Sequence, residues 1–131
     1  MDRLIPAAPR ALCRVAEIPD GGAKGFPPPD RGYAGLFAVR RGAALVVYVN
    51  SCPHLGVSLE WTADRFLSAD GTEIVCGTHG ATFRIADGHC VAGPCQGEAL
   101  TPVPFTVNDG VLLVAPEAGR YPDEATERKP G

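Results

Sequence analysis

The sequence has 131 residues, enough for one domain, and 45% of them are hydrophobic, enough for a modest core. A formal net charge of −3 and a pI near 5.5 argue against nucleic acid as a partner. No run of about eighteen apolar residues occurs, so no membrane-spanning helix is expected. The opening Met1-Asp2-Arg3-Leu4-Ile5-Pro6 lacks the apolar core of a secretory leader, and the expected location is cytoplasmic.

Residues 1–10 carry no periodicity and read as an N-terminal arm. Ala11 to Ile18, with Leu12, Val15 and Ile18, is expected as a first strand. Pro19 to Gly25 has the composition of a turn region. Phe26-Pro27-Pro28-Pro29-Asp30 suits neither a helix nor a central strand, because proline removes donors and fixes φ. It reads as a polyproline-like surface loop, a spacer rather than a docking segment. Gly35 to Arg40 and Ala43 to Asn50 are two strands joined at Arg41-Gly42, and the second delivers the chain to Cys52. Between Val57 and Val75, Trp61 is expected to pack with Leu59, Phe66 and Leu67 rather than to serve as a docking surface. Ala69-Asp70-Gly71 is a hairpin turn, and Glu73 to Val75 is a short strand delivering Cys76. Ala81 to Ile85 alternates as a strand does, Asp87-Gly88 turns, and Gly93-Pro94 makes a rigid loop. Thr101 to Val107 and Val111 to Ala115 flank the hairpin signal Asn108-Asp109-Gly110. From Pro116 the tail is charged and without an apolar pattern, a surface-draped or disordered end. Many short strands with frequent turns read as all-β.

The chemistry concentrates between Cys52 and Gly80. Cys52-Pro53-His54-Leu55-Gly56 and Cys76-Gly77-Thr78-His79-Gly80 are two boxes, C-x-H and C-x-x-H, with twenty-one residues between His54 and Cys76. Each box offers one thiolate and one imidazole, a mixture suited to a metal. A zinc finger also uses two cysteines and two histidines, but usually groups like with like. One residue between Cys52 and His54 demands a tight loop rather than a helix face. Gly56 and Gly80 let the loops turn or bring backbone amides close to an anion. Zinc stays open as the alternative metal. Cys13, Cys90 and Cys95 are left over and read as reduced thiols. Cys90 and Cys95 flank Gly93-Pro94; a redox-active pair is the sharper reading, a small buried Cys90 and a loop thiol at Cys95 the plainer one. His89 reads as a turn residue.

C-P-H-L-G with C-G-T-H-G resembles the ligand boxes of Rieske-type [2Fe-2S] proteins, and the resemblance runs from about Ala11 to Ala115. It implies that Cys52 and Cys76 bind one iron and His54 and His79 the other. It implies a Rieske-like antiparallel β-sandwich of two or three sheets, with a cluster-binding subdomain at about 51–96 inside a domain of residues 11–115, followed by a tail at 116–131. Gly93-Pro94 resembles the proline loop that covers the cluster. High-potential members carry a disulfide between the loops and hydroxyls near the sulfurs. Here those positions are Val57 and Thr78, and Ala81 and Phe83, so a low-potential, soluble member is implied.

The implied function is that of a ferredoxin, carrying one electron from a reductase to a terminal oxygenase or other oxidoreductase. Both partners would dock near His54 and His79, with neither nucleic acid nor membrane involved. The chain would be a component of an oxidoreductase system rather than an enzyme. A 2-His-1-carboxylate iron site has no candidate, since His89 is the only histidine outside the boxes. The alternatives are a small Rieske subunit of a larger oxidoreductase of the nitrite reductase kind, a redox or oxygen sensor, and a zinc-binding interaction module.

Overall fold

The computed structural model describes residues 8–52, 59, 64–77, 80–93 and 97–120. Among them nine strands make three antiparallel sheets. The first sheet holds β1 (Arg10–Arg14), β9 (Val111–Val114) and β8 (Phe105–Asn108), in that order. The second holds β2 (Ala23–Phe26), β3 (Leu36–Arg41) and β4 (Ala44–Val49). The third holds β5 (Glu73–Val75), β6 (Thr82–Arg84) and β7 (Cys90–Ala92). The all-β expectation holds, and the only described helix is a 3-10 turn at Val15–Glu17.

The second sheet is the middle layer, for a reason visible in β3. Successive strand side chains point to opposite faces. Leu36 and Ala38 enter one core with Ile18, Phe26, Val47, Val103, Leu112 and Val114. Phe37 and Val39 enter the other, with Tyr48, Leu59, Phe66, Ile74, Phe83 and both cysteines of the boxes. All four side chains from Leu36 to Val39 are buried, so this strand reads as a continuous apolar run rather than an alternating one. Fully burying each of the larger ones contributes about 1.5–3 kcal/mol.

Several boundaries differ from the sequence reading. The first strand begins at Arg10, inside the expected arm, and stops at Arg14. Val15 N–H then donates to Gly110 C=O at 2.9 Å, and Ile18 N–H closes onto Val15 C=O at 3.0 Å, which turns Ile18 into the core. β2 occupies part of the expected turn region because the β3 backbone pairs with it from Ala23↔Val39 to Phe26↔Leu36. The β3–β4 turn is Gly42-Ala43, one residue later than expected, with Arg41 opposite Ala44. β7 has no counterpart in the sequence reading; it is recruited by β6. Pro116 to Arg120 is part of the fold: Ala34 N–H donates to Gly119 C=O at 2.8 Å, and Tyr33 bridges Arg120. The β8–β9 hairpin turns where expected, with Asp109-Gly110 at its tip and Asp109 in the left-handed region at φ 54°, but β8 starts at Phe105 rather than Thr101 and takes in Asn108.

Tyr48 ties the middle sheet to the third. Its hydroxyl donates to Ile85 C=O at 2.7 Å in a buried bond. The ring lies against Gly88, where a Cβ would sit 2.8 Å from Cε1, so only glycine fits beside it. Burial, and then the charge of Asp87, push the phenol up to about 12. An unfolded tyrosine ionises near 10. From about pH 10 to 12 the unfolded chain would lose this proton while the fold keeps it, so this contribution is complete below pH 10 and fades as pH rises. Tyr48→Phe should cost about 1–2 kcal/mol at pH 8, since Ile85 C=O loses its partner. The gap between wild type and variant in urea unfolding should then narrow from pH 10 to 12; a constant gap would exclude this coupling.

Candidate metal centre

Two strands aim the chain at the centre. Beyond β4, Asn50 N–H donates to Gly35 C=O at 2.8 Å, and Ser51 N–H turns back onto Val49 C=O at 2.9 Å. The exit is thus fixed just before Cys52. Cys76 follows β5 directly. Its N–H donates to Ala81 C=O and its C=O accepts from Gly80 N–H, both at 2.8 Å, so the second box is closed at its neck.

Cys52 and Cys76 are 1% and 0% exposed and share one core cluster. No disulfide joins the described cysteines. Thiolates in such a place are costly unless positive charge neutralises them. Two of them, brought from separate strands into one buried cluster, fit the thiolate half of a mixed iron–sulfur ligand set. Among the described residues no group of three or more Cys, His, Asp and Glu is placed to hold a metal ion. His54 and His79 lie outside the described residues, as do Val57, Trp61, Thr78, Pro94 and Cys95.

The segment between the boxes is held at three described points. Leu59 is fully buried; its N–H donates to Asn50 Oδ1 and its C=O accepts from Gly77 N–H, both at 2.8 Å. Asp64, at φ 62°, accepts Gly25 N–H at 2.8 Å and so ties the segment to β2. Phe66 stacks flat on Phe37, with centroids 4.3 Å apart and 4° between planes. The hairpin at Ala69-Asp70-Gly71 closes as expected. Asp70 accepts from Ser68 Oγ, Thr72 Oγ1 and Thr72 N–H, and hydrogen bonds from Ser68 and then Thr72 hold its carboxyl down at about 2.

Of the remaining cysteines, Cys13 and Cys90 are among the described residues, as is His89. Cys13 packs against the opposite core, and burial, then Glu17, push its thiol up, which keeps it a neutral hydrophobe. Cys90 is buried in the same cluster as Cys52 and Cys76, and its thiol donates to Ala92 C=O at 3.3 Å. His89 sits in the β6–β7 turn, where its N–H donates to Asp87 Oδ1 at 3.0 Å. Arg84 grips the same carboxylate through Nε at 3.1 Å and a terminal nitrogen at 2.8 Å, and holds it down at about 2. Beyond β7, Gly93 presses on Ala81: at φ 100°, a Cβ there would stand 2.7 Å from Ala81 Cα. Sequence reasoning expected Leu59 to pack with Phe66 and Leu67, as it does, but missed the hydrogen bonds made by Asn50, Leu59 and Asp64. Their partners are backbone groups far along the chain, and only the fold brings them together.

Solved structures with the same architecture include the ferredoxin of carbazole 1,9a-dioxygenase from Nocardioides aromaticivorans IC177, 24% identical over 84% of this chain and 99% of that one, with a TM-score of 0.65. The Sphingomonas yanoikuyae B1 ferredoxin is 29% identical over 82% of this chain and 98% of that one, also with a TM-score of 0.65. The terminal oxygenase of carbazole 1,9a-dioxygenase from N. aromaticivorans IC177 is 18% identical; this chain aligns over 94% of its length to 34% of the oxygenase, with a TM-score of 0.64. A comparison with curated protein sequences returned no significant match. Residues 9–111 match the Rieske [2Fe-2S] domain. The chain belongs to the Rieske [2Fe-2S] domain family, and the cofactor that membership implies is a Rieske-type [2Fe-2S] cluster.

Proposed function

We propose that this chain is a ferredoxin, taking single electrons from a reductase and passing them to a terminal oxygenase or another oxidoreductase. The observation that carries the reading is the convergence of Cys52 and Cys76, the heads of the two boxes, in one buried cluster at two strand ends. The ferredoxin neighbours, matched over almost their whole length, support it. Within this reading Cys52 and Cys76 hold the inner iron, and His54 and His79 hold the outer one. When bound, the cluster supplies reversible one-electron chemistry.

The residues set the terms of that chemistry. Two neutral imidazoles in place of two thiolates leave the site less negative, which favours taking an electron. An imidazole's second nitrogen offers a proton site coupled to the charge of the metal. His54 and His79 are the ligands we assign to the docking tip for both partners. Ala81 and Phe83 are fully buried and bring no hydroxyl toward the cysteines. Fewer donors to the sulfurs mean a lower potential, and we place it near the low end of the Rieske range, about −150 mV. The negative net charge and the lack of any described helix able to cross a membrane accord with a cytoplasmic carrier.

Anaerobic purification followed by iron and sulfide analysis and EPR of the dithionite-reduced protein tests the reading. Two irons, two sulfides and an average g near that of mixed-ligand clusters are expected; a colourless protein with stoichiometric zinc would overturn it. His54→Cys or His79→Cys should lower the potential where a cluster assembles, and an unchanged value would count against their role as ligands. Ala81→Ser should raise the potential. The added hydroxyl has to fit beside Gly93 in a buried position, so contact with a sulfur should be checked by crystallography. A hydroxyl in contact without a shift would defeat the hydrogen-bond account.

A further inference from the structure

Asn50 is a buried polar side chain, 9% exposed. It stands two residues before Cys52. Its N–H is committed to Gly35 C=O, which anchors it to the middle sheet. Its Oδ1 accepts Leu59 N–H at 2.8 Å, and Leu59 C=O accepts Gly77 N–H at 2.8 Å. Gly77 directly follows Cys76. Three bonds in series therefore run from the middle sheet, through one asparagine and one leucine, to the neighbour of the second cysteine. No disulfide among the described residues makes this link.

We propose that Asn50 is a positioning residue, which acts through the Leu59 backbone to fix Cys76 relative to Cys52. The inference rests on the reading of those two cysteines as ligands. Its physical basis is the environment of Leu59. That residue has no solvent contact, so its N–H, deprived of Oδ1, has no water to turn to. The chain there must shift until the amide finds another partner, and Gly77, bonded to the same residue, shifts with it. A leucine at position 50 keeps the branching of asparagine, with slightly more bulk, and removes the acceptor. An aspartate keeps it.

The test uses the holo-protein with Asn50→Leu and Asn50→Asp, read by iron release into a chelator and by EPR of the reduced form. Asn50→Leu should lose iron about tenfold faster and change the EPR line shape, which a loss of global stability alone would not do. Asn50→Asp should return both toward wild type. Wild-type iron release and EPR in Asn50→Leu would overturn the proposal, as would an Asn50→Asp variant no better than Asn50→Leu. If Asn50→Leu does not fold, hydrogen exchange at the Leu59 amide of the wild-type holo-protein decides. Protection comparable to β3 amides is expected, and exchange at the rate of exposed backbone would overturn the clamp. Cys76→Ser that keeps a full iron and sulfide complement would overturn the ligand reading instead, whatever Asn50 variants do.

Discussion

Leu36, Phe37, Ala38 and Val39 send their side chains alternately into two cores, and both cores depend on that alternation. A shift of one residue in the pairing of β3 with β4 would exchange the faces. Phe37 would leave Phe66, and the flat stack that seats the segment between the boxes would be lost. The two cysteines rely on the same arrangement, since Cys52 emerges from β4 and Cys76 from a sheet packed on the Phe37 face. The candidate centre is therefore a property of the layer order.

What the layers provide is dryness. Cys52, Cys76, Ala81 and Phe83 form a floor with almost no water. In such surroundings, charges and dipoles act more strongly than in solvent. A hydroxyl placed at Ala81, or a polar group removed at Asn50, counts for more there than on the surface. The exposed ion pair of Arg84 and Asp87 illustrates the contrast: it shapes the turn between β6 and β7 but belongs to the solvated side.

The ligand boxes and the all-β class were legible because they rest on local signals: residue spacing, turn chemistry, apolar runs. Asp109-Gly110 and the pair β3–β4 fall in the same group. β2 and β7 were not legible. Lys24-Gly25 carries no strand pattern, and Cys90 to Ala92 is too short to carry one; each is a strand because a neighbour's backbone offers it hydrogen bonds. The ending of β1 at Arg14 is fixed by Gly110, almost a hundred positions away. Asn50 looked like the close of a strand. Its role at Leu59 and Gly77 depends on contacts that the fold alone creates.

The pairing of β1 with β9 carries a consequence for how the chain comes into being. Arg10 meets Val114 and Arg14 meets Val111, strands from opposite ends of the described fold. Contacts so distant in sequence slow folding, because the intervening chain must be ordered first. On the ribosome, the β3–β4 hairpin can form before Leu112 and Val114 emerge to cover Leu36, Ala38 and Val47. Until then one face of the middle sheet stays uncovered and open to association with other chains. Nascent chains of this topology are thus open to chaperone binding until β9 has emerged.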